Sequence, residues 1–199
     1  MSKTPAQRLL DELIREYLVP AARAAGFKKD GRTFRYSLAE SVRVVNVQTS
    51  QSNSADALRF TINLGVYFPR AQEQLKDLLR LEVSTARPLE YQCQVRQRLG
   101  NLVAGRDVWW DLRTPADVPR IGEEVRGGLV DAGLPWLTRM ASWTAARTLL
   151  ERNAPVTALG FVLEDGDLVT ARKLLRSLLD SRPDTTELRL WGAVRGLCD

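Results

Sequence analysis

Residues Leu58 to Phe68 read LRFTINLGVYF, with an apolar side chain at every even position. Side chains alternate faces along a strand. Leu58, Phe60, Ile62, Leu64, Val66 and Phe68 therefore enter a core, while Arg59, Thr61, Asn63, Gly65 and Tyr67 point away. So long a run of alternation commits the chain to a sheet with one buried and one polar face. The rest of the fold must cover the first.

Flanking segments supply the cover. Thr4-Pro5-Ala6-Gln7 reads as a helix start, with Thr as N-cap, Pro in the first turn and Gln three residues on. Leu9, Leu10, Leu13, Ile14, Tyr17 and Leu18 follow at helical spacing. Gly26 marks a stop, and Pro20 predicts an early kink or end. Alternation predicts strands at Arg32–Leu38 and Val42–Ser50. In the second, Val42 and Val44 share a face with Asn46, Gln48 and Ser50, opposite Val45, Val47 and Thr49, which implies a bulge or burial on both faces. Residues 51–57 form a polar loop before the Leu58–Phe68 strand. Pro69 opens a helix carrying Leu75, Leu78 and Leu79. Strands are expected at Tyr91–Leu99 and Val108–Arg113, then a helix from Thr114-Pro115-Ala116-Asp117 with Val118, Ile121, Val125 and Leu129 on one stripe.

The order is helix, three strands, helix, two strands, helix. Short connections favour antiparallel pairing. The expected class is α+β, an antiparallel sheet of about five strands with helices on one face, over residues 1–135. Gly133-Leu134-Pro135 reads as a turn and the best internal boundary. Residues 136–199 read as an all-helical segment, with helices near Thr138–Arg152, Pro155–Glu164, Val169–Ser181 and Thr185–Leu197. Residues 155–183 resemble one tetratricopeptide-type hairpin, with Gly166 in the turn, Ala171 and Leu175 on the second helix and Pro183 at its end. A single copy does not make an array.

Composition removes much chemistry. The chain has no histidine, which excludes Ser-His-Asp and Cys-His catalysis, His-based zinc sites and the imidazole pH switch. Cys93 and Cys198 lie far apart and outside any metal-ligand spacing, so both read as structural. There is no P-loop, no G-x-G-x-x-G and no G-x-S-x-G. Glu123 and Glu124 diverge on a helix, and Glu164-Asp165-Gly166-Asp167 lacks EF-hand spacing, with Asp167 reading as an N-cap. No catalytic residue, metal site or cofactor is expected. No transmembrane run or signal peptide is read, so the expected location is cytoplasmic. Net charge is +5, and of 29 basic residues five are lysine and 24 arginine. That excess is spread thinly along the chain.

The polar sheet face is the candidate site. It is expected to gather Arg35, Asn46, Gln48, Ser50, Thr61, Asn63, Gln92, Gln94, Arg96 and Arg98. Amides disfavour strands, so Asn46, Gln48 and Asn63 imply a buried polar network or a contact surface. Trp109 and Trp110 place one indole on each face, one in the core and the other either a contact residue beside Asp111 and Arg113 or one covered by the C-terminal helices. Lys28-Lys29-Asp30-Gly31-Arg32 reads as a basic turn, solvated or touching phosphate. The binding set is Arg35, Asn46, Gln48, Ser50, Asn63, Arg96, Arg98 and Trp109.

Four short pieces follow one another in order: Gly26-Phe27-Lys28-Lys29, Arg32-Thr33-Phe34, Asn46-Val47-Gln48-Thr49-Ser50 and Phe60-Thr61-Ile62-Asn63-Leu64-Gly65. This run resembles a family of small bacterial proteins catalogued as a domain of unknown function, DUF 4304-like. The resemblance covers residues of about 5–135 and leaves the C-terminal helices as an addition. It implies no catalytic residues, and by analogy an immunity or interaction module. The residues themselves point to a non-enzymatic protein-binding module using the polar face or the groove beside the C-terminal helices. The alternative is a nucleic-acid-binding module using Arg35, Arg96, Arg98 and the Lys28–Arg32 turn, with Trp109 or Trp110 for stacking.

Overall fold

A computed structural model describes residues 3–79, 86–181 and 186–197. The first helix begins as its sequence dictates. Thr4 caps α1 (Pro5–Leu13), its Oγ1 accepting from the Gln7 N–H at 3.2 Å while Gln7 Oε1 accepts from the Thr4 N–H at 3.0 Å. Pro20 does not end the helix. A π-turn at Ile14–Leu18 precedes it, and α2 (Val19–Ala24) continues with Pro20 in its first turn. The wide turn lets the helix accommodate a residue that has no N–H to donate. Gly26, at φ 84°, closes the element.

The sheet is antiparallel and six-stranded, one more than expected. The addition is β1 (Lys28–Asp30), read from sequence as a turn. It pairs with β2 (Thr33–Ser37) across Gly31, whose φ of 60° suits a tight hairpin. Next come β3 (Val42–Thr49) and β4 (Leu58–Tyr67), paired without interruption from Val42↔Tyr67 to Thr49↔Phe60. The mixed pattern of β3 therefore reflects burial on both faces, not a bulge. β5 (Val95–Arg98) and β6 (Trp110–Leu112) are shorter than expected, and both pair with β4. A helix that alternation concealed, α4 (Leu99–Ala104), separates them. A 3-10 turn at Glu90–Gln92 replaces the start of the expected fifth strand.

The even side chains of β4 are almost completely buried, as alternation required. They meet Leu10 and Leu13 of α1, Val118, Ile121 and Val125 of α5 (Asp117–Gly128), and Phe34 and Val45 from the neighbouring strands. Each large apolar side chain buried this way stabilises by about 1.5–3 kcal/mol. Trp110 belongs to this core, its ring tilted against Phe60 with centroids 5.7 Å apart and its indole N–H donating to Glu124 at 2.8 Å.

Gly133-Leu134-Pro135 is helical rather than a turn. A π-turn at Leu129–Gly133 extends α5, and α6 (Leu134–Met140) follows with Pro135 in its first turn. The device is the one used before Pro20. Ser142 then caps α7 (Trp143–Asn153), which splits the helix expected at Thr138–Arg152. α8 (Pro155–Glu164), α9 (Leu168–Ser181) and α10 (Thr186–Val194) complete the described chain. Gly166 turns at φ 71°, and Asp167 Oδ1 accepts from the Thr170 N–H at 3.0 Å as N-cap. Pro183 and Cys198 lie outside the described residues.

The core runs on into this segment. Trp136, Leu137, Ala146, Leu150, Ala158 and Phe161 join the cluster that holds the sheet. Phe68 packs against both Trp143 and Phe161, with centroids at 5.6 and 5.0 Å. α8 also crosses α3 (Pro69–Leu79) at Gly160, where a side chain would collide with the backbone of Ala71. The carboxylates of the acidic turn are engaged, Glu164 by Arg70, and Asp165 and Asp167 by Arg147.

Candidate functional site

Strand register lays out the face turned away from the core. Thr33, Asn46, Asn63 and Arg98 form one row across four strands. Arg35, Val44, Gly65 and Arg96 form the next, and Gln48 faces Thr61 beyond. One end of this face is not polar. Val42, Val44, Tyr67 and Cys93 make a small apolar cluster beneath the 3-10 turn, with Cys93 close over Gly65. Burial pushes the Tyr67 hydroxyl up to about 12 and the Cys93 thiol well above its ordinary value.

Beyond that cluster lies a shallow depression of about 350 Å³ that brings together Gln48, Asn63, Arg96 and Arg98. The floor is an amide network. Asn63, only 5% exposed, donates to Gln48 Oε1 at 2.7 Å, and Asn46 donates to Thr33 Oγ1 at 3.0 Å. Thr61 donates to the Val108 carbonyl at 2.9 Å. Buried amides in a sheet carry little penalty once paired this way.

The walls are ion pairs. Arg96 Nε and Nη2 hold the two oxygens of Glu90 at 2.8 and 3.3 Å. This bidentate contact raises the Arg96 pKa and keeps it charged. Arg98 pairs with Asp107 and lies 5.4 Å over the ring of Trp109, whose indole N–H donates to the same carboxylate at 3.1 Å. Trp109 is half-buried there. Glu90 and Asp107 come from connecting segments rather than strands, so alternation could not flag them. Their only sequence signal is that they are acidic residues close to Arg96 and Arg98.

The remaining expected residues lie elsewhere. Arg35, on β2, does not line the depression: its Nε is on the Pro88 carbonyl and its Nη1 on Asp30, both at 2.8 Å. Ser50 sits in the β3–β4 connection, its Oγ accepting from the Ser52 N–H at 3.2 Å. Gln92 and Gln94 leave the sheet face because the strand starts only at Val95. Gln92 accepts from the Leu89 N–H, and Gln94 bridges the Phe68 N–H and Gln72.

Among the described residues, no three carboxylate or thiol side chains converge in metal-binding fashion, and no helix is long and apolar enough to cross a membrane. A family model described as a domain of unknown function (DUF4304) matches residues 18–139. No curated protein and no solved structure matches the chain.

Proposed function

The chain belongs to the DUF4304 family, and on that footing we propose that it is a non-enzymatic protein-binding module that grips its partner with the polar sheet face. The observation that carries this reading is the charge balance of the depression. Arg96 and Arg98 already hold Glu90 and Asp107. A phosphate-dominated interface needs cations free to release counterions, and here they are neutralised in place. What the face offers instead is a fixed array of amide donors and acceptors, two ion pairs and an aromatic at the rim. Arginine and tryptophan are the types that concentrate binding energy at protein interfaces. The half-buried Trp109 and the 65% exposed Tyr91 are the aromatic anchors nearest this array in sequence.

The test is capture from a lysate of the native cells, with and without nuclease, comparing the natural protein with Gln48→Ala and Trp109→Ala. Expected is one stoichiometric protein that survives nuclease and is lost from both variants, with melting temperatures held within a few degrees. Captured material that disappears with nuclease would reverse the reading in favour of nucleic acid. Arg96→Ala is a poor probe, because it strands the buried Glu90 carboxylate and costs stability by itself.

A further inference from the structure

The cleft beside the β1–β2 hairpin carries the charge that the polar sheet face lacks. It is a depression of about 430 Å³ whose charged lining, among the described residues, is Lys28, Lys29, Asp30, Arg35 and Arg87, four cations around one carboxylate. Asp30 Oδ2 takes both Arg35 Nη1 and Arg87 Nη2. Arg35 is nine-tenths buried, with Nε anchored on the Pro88 carbonyl, so its guanidinium is held in one place. Lys28 stands directly opposite Arg35 in the β1–β2 register. Like charges so placed destabilise a strand pair. The Lys28 and Lys29 side chains make no hydrogen bond or ion pair among the described residues.

We infer that this cleft binds a phosphate-class oxyanion, held by the remaining N–H donors of the fixed Arg35 guanidinium with Lys28, Lys29 and Arg87 closing around it. A tetrahedral oxyanion suits both parts of the set. Guanidinium donors meet it in a fixed geometry, and the lysines supply mobile point charges. It would also relieve the Lys28–Arg35 repulsion, since the one Asp30 carboxylate is already shared between Arg35 and Arg87. This site is separate from the amide-floored depression and does not depend on the protein-binding reading.

Free phosphate and phosphate carried on a protein side chain share this chemistry, and two ligand arms separate these sources. The natural protein is titrated with inorganic phosphate and pyrophosphate, and in parallel with a short phosphoserine peptide, against sodium chloride at matched ionic strength. Backbone amide shifts are followed by NMR. Expected are saturable shifts centred on residues 26–37 and 86–87, an affinity about tenfold lower in Lys28→Ala/Arg87→Ala, and no change in Lys173→Ala. Lys28 and Arg87 are exposed, so the variant folds, and a thermal melt checks this. Tighter binding of pyrophosphate assigns a small free anion, and tighter binding of the peptide assigns a phosphorylated protein. Shifts that do not saturate, that chloride reproduces, or that persist undiminished in the double variant would overturn the site.

Discussion

Gly160→Ala tests whether the C-terminal helices are built into the core. On a free helix this substitution stabilises by about 1 kcal/mol, because alanine loses less backbone freedom on folding. At Gly160 the added Cβ would lie 3.0 Å from Leu75 Cδ1, 3.1 Å from the Ala71 carbonyl carbon, and closer still to its oxygen. Leu75 can rotate, but a helix backbone cannot, so α8 must retreat from α3. Overpacking of that kind costs about 1–3 kcal/mol. After the propensity gain, the net loss is up to about 2 kcal/mol, or a melting temperature lower by up to about 8 °C at this chain length. Gly127→Ala in α5 is the matched control, since a Cβ there meets nothing within 4 Å. It should gain about 0.5–1 kcal/mol. Both are read by urea unfolding, where the midpoint moves and the slope does not. If Gly160→Ala stabilises as much as Gly127→Ala, α8 does not lie on Ala71 and the close crossing is wrong.

Thr4→Ala removes the hydroxyl that accepts from the Gln7 N–H, while the backbone N–H at position 4 still reaches Gln7, and should cost about 1 kcal/mol, measured by the same unfolding assay. Leu64→Ala, at the centre of β4, should cost about 2–5 kcal/mol, since its side chain is fully buried. Cys93 should resist a thiol reagent at neutral pH in a Cys198→Ser background and react fully once urea unfolds the chain, because burial both hides the thiol and keeps it protonated. Asp117 and Asp167 are each held at about 2, Asp117 chiefly by the Thr114 backbone N–H and Asp167 chiefly by that of Thr170. A depressed folded pKa stabilises above the unfolded value of about 4 and loses that contribution as pH falls towards 2. The acid limb of the stability profile should therefore flatten in Asp117→Asn/Asp167→Asn, and an unchanged limb would count against both sets of carboxylate hydrogen bonds.

The sheet was readable because β4 alternates without error and its neighbours pair with it by short connections. Local capping chemistry was readable too, at Thr4, Gly26 and Asp167, since the signal lies within four residues. What escaped has physical reasons. β1 is three charged residues, and its strand conformation comes from pairing with β2, not from propensity or pattern. Pro135 reads as a breaker because a π-turn is invisible in residue identities, although the same turn carries the chain past Pro20. α4 was hidden because Leu99 continues the alternation that precedes it. Within the candidate site, Gln48, Asn63, Arg96 and Arg98 follow from alternation plus register. Glu90 and Asp107 do not, because their positions are set by connecting segments folding back over the sheet, and they decide the electrostatics. Arg35 has the right orientation but lies in another cleft, a separation that only the strand order reveals.

The outermost strands of the sheet are three or four residues long. The far side of β4 is divided between β5 and β6, with α4 interposed, and the opposite border is β1 with its two lysines. Exposed sheet borders are where a foreign strand adds, and short, lysine-bearing ones offer it too little template. A partner of this protein should therefore meet the sheet through its face, by side chains, and not by extending its backbone ladder. The same borders protect long, apolar β4 from pairing with another copy, so the segment best suited to forming a sheet is also the one least able to start an aggregate.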